Sequence, residues 1–231
     1  MKIVSFSGID GAGKSTQIDA FRSFLEERGI SSNLYTFWDD IAALRSLREG
    51  ISYKVFKGDR GVGSSEDPIQ RRDKNVTSWY ITLFRLLLYL LDALSLRRTM
   101  ARFKGNADII IFDRYMYDEL ANLPLHRRAT RFYVRSLLRI VPAPDLALLV
   151  DAEPEAASAR KPEYPLEFVR LNRKSYFEIA QLAGMRILPP GTVEETAETI
   201  RDLINENWSR ENVPSSQIDL RRAGMAGTSE G

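Results

Sequence analysis

Cysteine is absent from this sequence of 231 residues. Disulfides and thiolate metal sites are therefore excluded, and the chain suits a reducing cytoplasm. Histidine is almost absent too. His126 stands alone, too little for a histidine-clustered zinc site or a Ser-His-Asp triad. Neither sign of charge prevails: 33 basic residues face 31 acidic ones, a net of +2. That balance gives no reason to expect a nucleic acid polymer or a membrane as partner. Long apolar runs are also missing. The nearest approach, Trp79 to Leu96, is interrupted by Arg85 and Asp92, each costly in lipid, and reads as a buried helix. No internal repeat is present. A strand pattern begins at Lys2 and leaves no room for a signal peptide, so a cytoplasmic location is expected. The length fits one domain able to bury a core without staples.

What the chain does hold is Gly8-Ile9-Asp10-Gly11-Ala12-Gly13-Lys14-Ser15, which meets the phosphate-loop pattern G-x-x-x-x-G-K-[ST] at every fixed position. The glycines let backbone N–H groups approach phosphate oxygens that a Cβ would block. Lys14 reaches the β- and γ-phosphates, and the Ser15 hydroxyl can hold Mg²⁺. Lys2 to Phe6 reads as a strand before the loop. Thr16 to Glu27, with Ile18, Phe21, Phe24 and Leu25 at helical spacing, reads as the helix whose positive end faces the phosphates. A nucleoside triphosphate is the expected ligand. Gly8, Asp10, Gly11, Ala12, Gly13, Lys14, Ser15 and Thr16 are its expected contacts, with ATP and Mg²⁺ as cofactors.

Strands and helices then alternate. Asn33 to Trp38 reads as a strand, and Ile41, Leu44, Leu47 and Ile51 as one helix face after Asp39 or Asp40 as N-cap. From 52 to 74 the pattern dissolves into glycine, serine and mixed charge, the mark of a flap over the site or of disorder. A long helix is expected from Asn75 to Phe103, ending near Gly105. Asp108 to Phe112 and Leu146 to Val150 read as buried strands, closed by Asp113 and Asp151. Further helices are expected at Arg131–Val141, Glu153–Ala159, Leu166–Ala183 and Val193–Trp208, with a last strand at Met185–Leu188. The order predicts an α/β fold, a five-stranded parallel sheet between helical layers, with ligands beyond the carboxyl ends of the strands. Residues 1–209 are expected to form one domain and 210–231 a disordered tail.

Asp113, at the end of an apolar strand, matches the carboxylate that holds Mg²⁺ in phosphate-loop enzymes. Arg114 beside it reads either as a bidentate phosphate clamp or as a salt bridge to Asp113. Arg85, the one charge within Leu83 to Leu91, needs a partner: Asp92, or an acceptor molecule. Trp79, Tyr80, Phe84 and Tyr89 read as core or dimer contacts ahead of a base platform.

Several stretches together resemble the thymidylate kinases. Phe6-Ser7-Gly8 through Ser15-Thr16-Gln17 looks like the family's opening, Asp113-Arg114-Tyr115 like its D-R-[YFH] motif, and Pro144-Asp145 through Val150-Asp151 like its next strand. Pro154-Glu155 with Arg160 resembles the start of its lid, and Phe168 through Arg173 to Tyr176 the helix after it. The resemblance runs from Lys2 to Trp208. It implies a phosphate-loop NTPase fold and transfer of the γ-phosphoryl of MgATP to a nucleoside monophosphate, dTMP first. Lys14, Arg160 and Asp113 would be catalytic, and Ser15 and Asp113 would hold the metal. Positions 9 to 12 carry no basic residue, while Arg160 and Lys161 stand in the lid, about 160–166; this is the pattern of the family's lid-arginine type. Asp10, Arg85 and Arg114 would contact the acceptor. A two-fold dimer through the long apolar helix is also implied. The acceptor half departs from the family. Phe37-Trp38-Asp39-Asp40 replaces R-E-P-G, leaving Arg45 or Arg48 to supply the phosphate contact. Ser7 replaces a glutamate, and Asp118 to Leu123 lacks the Tyr–Gln pair. A kinase of the same fold for a deoxynucleoside or small metabolite is the alternative, and a nucleotide-binding module without transfer activity the alternative of another class.

Overall fold

The computed structural model describes residues 1–37, 79–103 and 107–208, with the side chains of 79–85 outside that description. Expectations for the helix at Ile41–Ile51, for Arg45 and Arg48, for the segment 52–74, for the ends of the long helix at Asn75 and Gly105, and for the tail at 210–231 lie outside the described residues.

Five parallel strands form one sheet: β1 (Lys2–Ser7), β2 (Ser32–Thr36), β3 (Ile109–Asp113), β4 (Leu146–Val150) and β5 (Arg186–Leu188), in the order β2-β3-β1-β4-β5. β3 and β4 flank β1 and are covered on both faces, as their unbroken apolar runs require: Ile110, Ile111, Phe112 and Leu148 are fully buried. Each such side chain contributes about 1.5–3 kcal/mol to folding. Helices α1 (Lys14–Glu26) and α7 (Val193–Trp208) pack on each other, as do α3 (Met116–Leu120) and α6 (Leu166–Ala183). The remaining helices are α2 (Trp79–Arg102), α4 (Arg128–Leu138) and α5 (Pro154–Arg160). This is the α/β sheet architecture expected of a phosphate-loop fold.

Aspartates mark both ends of the strands and do different work at each. At the amino ends, Asp145 accepts from the Ile3 N–H at 2.8 Å, and Asp108 accepts from the Ser31 N–H at 3.1 Å and its hydroxyl at 2.7 Å. These clamps set the strand register. At the carboxyl ends stand Asp113 and Asp151, and the register places Phe6 beside Asp113, so the loop after β1 and the carboxylate ending β3 are neighbours.

Three expectations are corrected. α1 begins at Lys14, inside the phosphate loop, and α4 begins at Arg128 rather than Arg131. The short α3 is unanticipated, since five buried residues show no periodicity. The apolar helix is not buried all round. Tyr89, Ala93, Leu96 and Met100 face the core, while Leu87, Leu91 and Leu94 form an exposed stripe. No helix among the described residues is long and apolar enough to cross a membrane.

Candidate active site

The loop between β1 and α1 is shaped by contacts only glycine permits. Gly8 has φ 147°, and a Cβ there would lie 2.4 Å from the Val150 carbonyl oxygen. Gly11 has φ 81°, and its Cβ would lie 2.3 Å from the Ala157 carbonyl oxygen. The loop is thus seated on the end of β4 and on α5, the helix that leads into the predicted lid. Lys14 folds into it, donating to the Gly8 carbonyl at 2.9 Å and the Ile9 carbonyl at 2.8 Å. Burial pushes the Lys14 ammonium down to about 8; Arg114 adds to this, while Asp118, Asp10 and Asp113 work against it. Ser15 and Thr16 follow, exposed in the first turn of α1, whose N–H groups lack helical partners.

Arg114 stands at the centre of the charges. Its φ of 67° is the one left-handed backbone among described residues other than glycine. Such strain costs on the order of 1–3 kcal/mol and persists where the surroundings over-determine it. Its own N–H donates to the Phe6 carbonyl at 2.9 Å. The guanidinium donates to Asp10 through Nη2, and its Nη1 lies 3.6 Å from Asp118 Oδ1. The sequence left a bridge from Arg114 to Asp113 open; the guanidinium bonds Asp10 and lies within ion-pair distance of Asp118. Burial works to raise the Asp10 carboxyl, but Arg114, Lys14 and Lys161 outweigh it and hold it below the usual carboxylate range. Burial raises the Asp113 carboxyl, partly offset by Lys14 and Arg114.

Two cations of the predicted lid approach the loop. Arg160 bonds its own helix, Nε to the Ala156 carbonyl at 3.1 Å, and its Nη1 lies 4.0 Å from where a Cβ on Gly13 would be. Lys161 Nζ lies 3.9 Å from Asp10 and 3.3 Å from Glu163. Asp151, at the end of β4, is taken up by Arg173, whose Nε and Nη2 donate to its two oxygens at 2.8 and 2.7 Å. That bidentate pair, extended to Glu153, ties α6 to the strand that seats the loop.

The structure therefore brings Asp10, Lys14, Arg114 and Lys161 together, with Arg160 against the loop and Asp113 alongside. The Arg85 side chain, Arg45 and Arg48 lie outside the described residues. Missed from sequence were Asp118 and Tyr176, which meet at 2.8 Å behind Arg114. The i,i+4 spacing of Arg114 and Asp118 was the available signal. Among the described residues no cluster of three acidic or histidine side chains could hold a metal. The donors present, the Ser15 hydroxyl and the Asp113 carboxylate, are hard oxygens that suit Mg²⁺ bound largely through phosphates and water.

No family model matches the chain. It is 25% identical over 210 residues to the "probable thymidylate kinase" of Archaeoglobus fulgidus, covering 87% of this chain and 94% of that one. It is 27% identical over 222 residues to the "probable thymidylate kinase" of Sulfolobus acidocaldarius, covering 90% and 95%. Among solved structures, thymidylate kinase from Candida albicans superposes with a TM-score of 0.58 at 19% identity, covering 89% of this chain and 92% of that one, a likeness of fold.

Proposed function

We propose that the chain is a member of the thymidylate kinase family, on its 25–28% identity to probable thymidylate kinases over most of its length, and that it transfers the γ-phosphoryl group of MgATP to a nucleoside monophosphate, dTMP to dTDP. The observation that carries this reading is Arg114, set beside a complete phosphate loop with its guanidinium between Asp10 and Asp118. An arginine carries five donors, so the two carboxylates leave capacity for an oxyanion. A monophosphate supplies one.

The chemistry asks little covalent work of the protein. A phosphate monoester has its second pKa near 6, so the attacking oxygen is already unprotonated at neutral pH and needs no base. What remains is alignment and neutralisation. The loop N–H groups and Lys14 hold the β- and γ-phosphates. Arg114 holds the acceptor phosphate in line. Arg160, from the lid, meets charge that develops on the transferring group. Ser15 and Asp113 would hold Mg²⁺, which when bound draws off negative charge from the phosphates. Asp10 is assigned to the acceptor sugar, and Arg85, Arg45 and Arg48 are proposed as further acceptor contacts. Residues 1–209 are assigned to the kinase domain, with the lid at about 160–166. A cytoplasmic location completes the reading.

The test pairs substrate and variant. Wild type should phosphorylate dTMP in preference to thymidine, and Arg114→Ala should lose most of that preference, about tenfold or more, because a charge-assisted phosphate contact is removed. Preference for thymidine, or activity on neither, would reject the acceptor.

We further propose a homodimer through α2. Leu87, Leu91 and Leu94 are 53%, 43% and 38% exposed in one stripe, and an apolar face of this kind is covered by a partner. Light scattering should give twice the chain mass at micromolar concentration, and Leu91→Glu should give the monomer. A monomeric wild type would remove this claim.

A further inference from the structure

Asp118 is buried behind the site, 3% exposed, and donors from three elements converge on it. Ser7, at the end of β1, donates its hydroxyl to Oδ2 at 2.6 Å. The Tyr115 N–H, which opens α3, donates to Oδ2 at 2.9 Å. Tyr176, from α6, donates its hydroxyl to Oδ1 at 2.8 Å. Arg114 Nη1 faces the same oxygen at 3.6 Å. Burial, and then Asp118 itself, push the Tyr176 phenol well above its ordinary range, so it stays a donor. A carboxylate with both oxygens engaged and almost no exposed surface has no means of touching a substrate. It acts on what it holds.

We propose that Asp118 is the positioning residue for Arg114. The carboxylate meets that residue at two points: it accepts from the N–H that follows its left-handed backbone, and it lies within ion-pair distance of guanidinium Nη1, while Asp10 bonds Nη2. The need is physical. A left-handed arginine is strained and its side chain long, so neither its turn nor its guanidinium stays in place without outside contacts. The buried charge of Asp118 in turn needs a cation, and Arg114 provides it. Ser7 completes the arrangement. Its hydroxyl touches Asp118, so one carboxylate and one hydroxyl fill this space, and the two side chains can be exchanged without change in total volume. The proposal rests on Arg114 as the acceptor-phosphate contact for its kinetic consequence, though not for the structural one.

Two measurements test it. The first needs no acceptor. The Arg114 Nε–Hε signal in ¹⁵N NMR, identified by its loss in Arg114→Ala, should show hindered guanidinium rotation in wild type and faster rotation in Asp118→Asn, where only the Asp10 bond remains. Unchanged rotation in the variant would overturn the proposal. The second is a double-mutant cycle in dTMP kinetics. Asp118→Asn should raise the KM for dTMP by about tenfold with the KM for ATP nearly unchanged, yet add no more than about twofold in an Arg114→Ala background, since residues acting as one unit are not additive. Tyr176→Phe keeps the ring and should show a weaker form of the same signature, which decides the matter if Asp118→Asn folds poorly. Ser7→Asp combined with Asp118→Ser should recover most of the activity. Effects that multiply with Arg114→Ala, or that fall equally on ATP and dTMP, would make Asp118 a structural residue only. If wild type turns over no dTMP, the acceptor reading fails, and the NMR measurement still decides whether Asp118 holds Arg114.

Discussion

Lys14→Ala is expected to remove phosphoryl transfer, by about 10³-fold or more, while the protein still folds. The side chain is buried in the phosphate loop and, among the described residues, bonds two loop carbonyls, those of Gly8 and Ile9. It braces no helix or strand. Losing it leaves those carbonyls short of a donor, a cost of about 1–3 kcal/mol. The change also relieves the burial of a cation that the protein already pushes down to about 8. The two effects oppose, so thermal unfolding should shift by a few degrees at most. In the proposed transfer the same position would face the charge of the β- and γ-phosphates, and residues 9 to 12 carry no basic side chain to take its place. Initial rates of ADP formation with saturating dTMP, beside a melting curve, read both quantities. Wild-type turnover in a folded variant would overturn the assignment of the loop.

Arg160→Ala should lower kcat by roughly 10² or more and change the KM for ATP much less, because its charge matters most as the transition state forms. The geometry supports this division. Arg160 is exposed, bonds the Ala156 carbonyl of its own helix, and extends toward Gly13. Its removal therefore costs the fold little. Lys161, held by Asp10 and Glu163, remains and keeps part of the ground-state attraction for phosphate. Steady-state kinetics against ATP at saturating dTMP separate the cases. A rise in KM with kcat unchanged would make Arg160 a ground-state contact instead.

Legibility in the sequence followed the range of the forces involved. The phosphate loop was readable because its pattern lies in a continuous run of the chain: Gly8, Gly11 and Gly13 stand with Lys14 and Ser15 in one turn from β1 into α1. The strand at Leu146–Val150 and the helices at Leu166–Ala183 and Val193–Trp208 were expected with the bounds they have, because burial on both faces or on one stripe writes a periodic signal. α3 left no such signal, being too short for a period and buried throughout.

By itself, then, the sequence determined the order of the strands and of the longer described helices, the run of glycines before Lys14, and the two carboxylates closing β3 and β4. Tertiary structure decided what each charge does. Asp113 and Asp151 look alike in the chain, yet one stands beside the loop and the other is closed by Arg173 from α6. Arg114 adjoins Asp113 in sequence and bonds Asp10 and faces Asp118 instead. Ser7, Asp118 and Tyr176 are separated by 111 and 58 residues and meet within hydrogen-bond distance. The reason is that local propensity and periodicity act over one or two turns, whereas a buried charge is satisfied by whichever polar groups the packed strands and helices bring to it. Those partners belong to distant parts of the chain, and only the folded sheet brings them together.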